Sequence, residues 1–201
     1  MGDHRRGFRD AREPAAGRTG RKSQVIRLTL VSHAMTAAMA AARFPADEPL
    51  SDIGRRQAEA AARLAVRGNT SQLTGPERRA RQTAELLGLN ATTEPRLADL
   101  DCGRWRGATL ESVAAEELAA WLTDPAQAPQ GGESIVDLID RVAGWLDSLT
   151  ANTVAVTHPA VIRAAILVAL DIPPKSFWRI DIGPLSRTVM HYRRDSWTLR
   201  L

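Results

Sequence analysis

The chain has 201 residues, 44% of them apolar, which suits one compact α/β domain and excludes a disordered chain. Its formal charge is +4, but residues 1–24 hold seven Arg/Lys against three Asp/Glu while the rest holds twenty of each sign, so nucleic acid is not expected as a partner. The single cysteine, Cys102, excludes an intrachain disulfide and a cysteine-based zinc site, and no apolar run approaches the roughly 18 residues of a membrane span.

Residues 1–24, rich in Arg and Gly, read as a disordered basic tail ahead of a domain over 25–201. The tail has no apolar stretch of a secretory signal and carries acids, unlike a transit peptide. With one cysteine, this composition fits a reducing cytoplasm.

Residues 24–31 (QVIRLTLV) alternate and are β-branched early, so they predict the first strand. Residues 50–68 predict a helix with Ser51 as N-cap and Gly68 as its stop. Residues 70–74 (TSQLT) form a short strand candidate. Residues 76–88 predict a second helix, with Pro76 at its start and Gly88 at its end. Amphipathic helices come next over 109–122 and 132–149, separated by a Pro- and Gly-containing loop. Residues 152–157 (NTVAVT) predict an apolar strand, and 158–170 a helix with Pro159 in its first turn. The end, 186–201, predicts two more strands. Strands alternating with helices imply an α/β fold, a mostly parallel sheet covered on both faces in three layers.

Of the four histidines, His4 lies in the tail and His191 within a late strand pattern. His33 and His158 each directly follow an apolar strand, where the carboxyl ends of parallel strands gather at a ligand crevice. An imidazole there can attack phosphorus or, when protonated, stabilise charge. No third residue at helical or hairpin spacing completes a metal site, so no metal is expected. Arginine suits phosphate through paired N–H donors, and Arg78, Arg79 and Arg81 open the second helix. At about 100° per residue, no more than two of them can face one site.

From about residue 25 to 185, six segments in order resemble the histidine phosphatase superfamily, the phosphoglycerate-mutase-like fold. They are Ser32-His33-Ala34, DEPLSDIGRRQA, GPERRARQTAELL, RLADLDCGRWRG, GGES before a helix, and VAVTHPAVIRAAI. The resemblance implies that His33 is a nucleophile forming phosphohistidine, that Arg79 grips the phosphoryl oxygens and that His158 is the pocket's second imidazole. Asp99 takes the place of the family's acid, usually glutamate, with Asp101 in reserve. Ser32, Thr36 and Arg79 would contact the substrate. The activity that the resemblance implies is that of a metal-independent phosphomonoester hydrolase for a small phosphorylated metabolite, such as a sugar phosphate or nucleotide-like monoester.

Three residues depart from the family pattern. Ser32 stands where the family has arginine, Ala34 where it has glycine, and Pro159 follows the second histidine where glycine is frequent and removes a backbone donor. Arg43, Arg106 or Arg163 could replace the lost cation, although Arg163 reads as a helix-surface residue. The rival reading is a catalytically impaired protein of this fold that binds a phosphorylated ligand or partner. Cys102 reads as packing, Trp105 as either pocket mouth or loop, and Trp121, Trp145, Trp178 and Trp197 as core or interface.

Overall fold

The first strand, β1 (Ile26–Ser32), buries every residue except Arg27, because it lies inside the sheet with a layer on each face. The computed structural model describes residues 25–200 apart from 62, 63, 65 and 67; the expected tail, 1–24, lies outside the described residues. After β1 come the short helix α1 (Ala37–Ala40), α2 (Asp52–Ala60), β2 (Ser71–Thr74), α3 (Arg78–Leu86) and the two-residue β3 (Thr92–Thr93). The chain continues with α4 (Ala115–Thr123), α5 (Ile135–Ser148), β4 (Thr153–Thr157), α6 (Pro159–Ala169) and the hairpin of β5 (Arg187–Arg193) and β6 (Ser196–Arg200).

The sheet runs β3-β2-β4-β1-β5-β6. β1, β2, β3 and β4 pair in parallel, while β5 is antiparallel to both β1 and β6. Period-two alternation splits the core. Leu28, Leu30 and Ala155 meet α5 and α6, whereas Val31, Val154 and Val156 meet α3. This is the expected three-layer arrangement.

Local chemistry accounts for several helix ends. Ser51 caps α2 by accepting from the Gly54 N–H at 3.1 Å, as expected. Ser134 and Asp137 form a capping box at the start of α5. Pro159 occupies the first turn of α6. Gly88, at φ +77°, ends α3: its N–H bonds the Glu85 carbonyl and that of Leu89 bonds Ala84, a Schellman closure.

Three expectations need correction. Helix α2 stops at Ala60 and not at Gly68, because Ala61 turns extended (φ −66°, ψ 139°) and Ala61, Leu64 and Val66 pack against the α3-side core. The helix expected over 109–122 is a 3-10 turn at Leu110–Ser112 followed by α4 from Ala115, since Val113 and Ala114 adopt extended ψ angles. The helix expected from 132 begins at Ile135, where Ser134 supplies the cap.

Candidate active site

Parallel pairing of β1 with β4 puts Ser32 beside Thr157, so the next residue of each strand, His33 and His158, emerge side by side at the carboxyl edge. Their rings lie 5.1 Å apart between centroids, edge to face. Next to β4, β2 ends at Thr74 and leads through Gly75 to Glu77, the N-cap residue of α3. In the first turn of α3, Arg79 enters the same place. Arg78 and Arg81 point to solvent, so one arginine of the three serves the site.

His33 is buried, and its Nδ1 lies 2.8 Å from the Ala34 carbonyl. A carbonyl only accepts, so Nδ1 carries the proton and Nε2 keeps its lone pair. Burial, then the charge of His158, pushes the His33 pKa down to about 3, which keeps the ring neutral at physiological pH. The loop after His33 is fixed by Thr83 of α3, which accepts from the Ala34 N–H and donates to the Arg79 carbonyl.

The Arg79 side chain is 1% exposed. It donates through Nη1 to the Ala46 carbonyl and through Nη2 to Asp99 Oδ2, both at 2.7 Å, while Glu48 lies 3.8 Å from Nη1. Among the described residues, its buried Nε has no protein partner. Asp99 also receives the Leu100 N–H on Oδ1 and lies 3.4 Å from His158 Nδ1. Burial alone would raise its pKa, but His158 and Arg79 outweigh it and hold the carboxyl down at about 2. The loop carrying Asp99 is held by Arg141 of α5, which donates to the carbonyls of Arg96 and Ala98 and is locked by both oxygens of Glu133. Thr157 ties the end of β4 to the same loop through the Leu97 carbonyl at 2.8 Å.

Glu77, which sequence reasoning passed over, accepts from His158 Nε2 at 2.7 Å and from the Asp99 N–H at 3.0 Å. Burial pushes its carboxyl up, yet the bond and charge of His158 leave it below the usual range. His158 is therefore fully buried between two carboxylates. The absence of a side chain at Gly75 makes this packing feasible: a Cβ there would lie 2.7 Å from the Leu97 carbonyl oxygen and 3.0 Å from His158 Nε2. No spacing rule singles out Glu77, since its partner lies 81 residues away.

A cavity of about 190 Å³ opens over His33, Arg79 and Asp99. It is also lined by Met39, Phe44, Trp121 and Trp178, and by Arg43 and Arg163. Arg163 is thus not a helix-surface residue: its turn of α6 faces the cavity together with Pro159 and Ala160. Trp121 and Trp178 belong to this wall as well as to the core, whereas Trp105 is buried against Phe44 and Trp145 lies within the core. Cys102 borders the cavity as a buried thiol raised to about 12, chiefly by burial, which fits the packing reading.

Two expected substrate contacts are not brought to the cavity. Ser32 is fully buried within the paired end of β1, its Oγ without a partner among the described residues. Thr36 is equally buried and spends its hydroxyl on the Met39 N–H, capping α1. Asp101 is exposed and pairs with Arg106 at 3.1 Å, which takes both away from the cavity and leaves Asp99 as its aspartate. Among the described residues, no group of three or more His, Cys, Asp or Glu is placed to hold a metal ion, and no helix is long and apolar enough to cross a membrane.

The family model for the histidine phosphatase superfamily (branch 1) matches residues 28–201. A glucosyl-3-phosphoglycerate phosphatase of Mycolicibacterium vanbaalenii is 33% identical over 172 residues, covering 75% of this chain and 76% of that protein. Phosphoserine phosphatase 1 of Hydrogenobacter thermophilus is 28% identical over 183 residues, covering 83% and 87%. The solved structure of a mycobacterial glucosyl-3-phosphoglycerate phosphatase superposes with a TM-score of 0.75 at 27% identity, covering 88% of this chain and 97% of that one.

Proposed function

The chain belongs to the histidine phosphatase superfamily, and on that premise we propose that it hydrolyses a small phosphomonoester through a phosphohistidine on His33, without metal or organic cofactor. The similarity to phosphatases over most of the chain supports hydrolysis. The observation that carries the mechanism is the ring of His33, whose Nδ1 bond to the Ala34 carbonyl leaves Nε2 unprotonated beside Arg79.

In the first step His33 Nε2 attacks phosphorus and the ester P–O bond breaks. Arg79 holds the phosphoryl oxygens, and His158, whose ring centroid lies 5.1 Å from that of His33, is the second imidazole of the pocket. Asp99 is ionised in the empty site because Arg79 and His158 stabilise its charge. An arriving phosphoryl group competes for Arg79 and adds negative charge nearby; both effects raise the proton affinity of Asp99. Asp99 then takes the proton of the monoanionic phosphoryl group and passes it to the leaving oxygen. In the second step Asp99, again ionised, takes a proton from water, whose oxygen attacks phosphorus as the P–N bond breaks. Asp99 passes that proton to the phosphate, which leaves, and His33 and the Asp99 carboxylate are regenerated.

The test is a panel of phosphomonoesters with rapid acid-free quenching, His33→Ala serving as control. An acid-labile phosphoenzyme in the wild type and none in the control is the expected result. Turnover equal to that of the control for every ester would sink the reading. A second reading, ligand binding without turnover, is favoured by one observation: Arg79 spends its charge on Asp99, and Ser32 adds no charge. Phosphate or vanadate binding in the absence of turnover would select it.

A further inference from the structure

We infer that the solvent face of β1, β5 and β6 docks nucleic acid through its phosphates. The inference stands apart from the chemistry at His33 and goes beyond the hydrolase reading.

The register of the sheet carries it. Arg27 lies opposite His191, Val31 opposite Arg187 and Val189 opposite Arg200, and residues opposed on antiparallel strands share a face. Period-two alternation therefore collects Arg27, Arg187, His191, Arg193 and Arg200 on one side of three adjacent strands. The other side carries Leu28, Met190, Trp197 and Leu199 into the core with α6. All four arginines are exposed, and His191 is half-buried. None of the three strands contains an Asp or a Glu. Asp195, in the turn between β5 and β6, is met at 3.4 Å by the hydroxyl of Tyr192, a residue of the opposite face. Burial first, and then Arg193, Arg200 and Arg27, push the His191 pKa down, as charges of one sign gathered around it do. The charge balance of residues 25–201 is thus an average, and the sheet sets one sign of it on a single surface.

Spacing and shape identify the occupant. Arg187 and Arg193 bound β5, about 20 Å apart by the strand rise, and Arg27 and Arg200 sit on the strands to either side. A single phosphate meets one or two of these arginines, whereas a run of phosphates meets the row. Arg27 and Arg187 also line a trough of about 530 Å³ with Thr29, Asn152 and Val189, so the surface is concave beside β1 and accepts a chain. The aromatic residues of these strands, Tyr192 and Trp197, belong to the opposite face, which leaves this one without an anchor for lipid or a platform for stacked bases. Contact through the phosphate backbone remains. Residues 1–24, with seven Arg/Lys against three Asp/Glu, join at Val25 just ahead of Arg27. A basic arm rich in Arg and Gly beside a basic surface belongs with nucleic acid rather than with an acidic protein.

The experiment follows the fluorescence anisotropy of a labelled oligothymidylate of about 20 nucleotides, and of a duplex of the same length, titrated with the full chain. With four phosphates met, affinity for the single strand should fall about fiftyfold or more between 50 and 200 mM salt. In the double variant Arg193→Glu/Arg200→Glu, affinity at low salt should fall about tenfold or more and the salt dependence should flatten. Melting temperature and phosphomonoester turnover should stay as in the wild type. Should charge reversal unfold the chain, Arg27→Gln/Arg200→Gln carries the same test with a several-fold loss. Binding of neither oligonucleotide by the wild type at 50 mM salt would overturn the inference. So would affinity unchanged in the folded variants, which would place the binding on residues 1–24. Polyglutamate of equal length bound as tightly as oligothymidylate would overturn it in favour of an acidic protein partner.

Discussion

Glu77 and His158 lie 81 residues apart in the chain and 2.7 Å apart in the fold, carboxylate to Nε2. The pair forms because β2 and β4 are neighbours whose carboxyl ends deliver the N-cap of α3 and the N-cap of α6 to the same point. With Asp99 near Nδ1, Glu77 fixes the direction in which the buried imidazole faces.

Glu77→Gln keeps the hydrogen bond and removes the charge, whereas Glu77→Leu leaves His158 Nε2 buried without a partner. The first variant should lower kcat about tenfold and the second more, with a loss of stability of ~1–3 kcal/mol for Leu. Steady-state kinetics and thermal melts check both. The folded Glu77 carboxyl lies below its unfolded value of 4.5, so its contribution is present above that value and fades as pH falls. Acid melts of Glu77→Gln should lack that part of the decline. Unchanged kcat in both variants would reduce Glu77 to a surface acid.

His33 predicts a second pH effect. Its pKa falls from 6.5 unfolded to about 3 in the fold, so between those values the unfolded chain binds the extra proton. Stability should therefore drop as pH falls below about 6.5, by a few kcal/mol in all, since a tenfold change in proton affinity is worth ~1.4 kcal/mol. His33→Asn should flatten the melting temperature between pH 6.5 and 4. A profile as steep as that of the wild type would show that His33 is not buried neutral.

Gly75→Ala places a methyl 2.7 Å from a backbone oxygen and 3.0 Å from His158 Nε2. Neither the Asp99 loop, held by Arg141, nor His158, held by two carboxylates, has freedom to yield. The expected cost is ~1–3 kcal/mol of stability, as for other overpacked sites, with a loss of rate at temperatures where the variant remains folded. Differential melts and initial rates test it.

Ser32→Arg would improve phosphate binding only if an open cavity received the side chain. The fully buried position at the paired end of β1 leaves no such room. The substitution should instead destabilise the chain by ~1–3 kcal/mol or more and leave phosphate affinity no better. Tighter phosphate binding in a stably folded variant would contradict this placement.

Much of the molecule was legible in one dimension because its cues are local. Apolar alternation marked β1, and the contiguous apolar run marked β4; Ser51, Pro159 and Gly88 marked helix ends by hydrogen-bond or φ requirements that belong to single residues. The strand-then-histidine pattern placed His33 and His158 at one edge, since parallel strands end on the same side. Tertiary structure decided the rest. Helical spacing left open which of three arginines on α3 enters the site, because that depends on the helix's rotation against the sheet; the resemblance pointed to Arg79, and Arg79 is the one that is buried. Arg163 and Glu77 carry no local mark, because what matters for each is a carbonyl, an aromatic ring or an imidazole brought in from a distant segment. Ser32 and Thr36 failed as contacts for the same reason: proximity in sequence to His33 says nothing about the side on which a hydroxyl is buried. Strand order and packing determine where a charge loses its water, and so they fix which groups are available for chemistry.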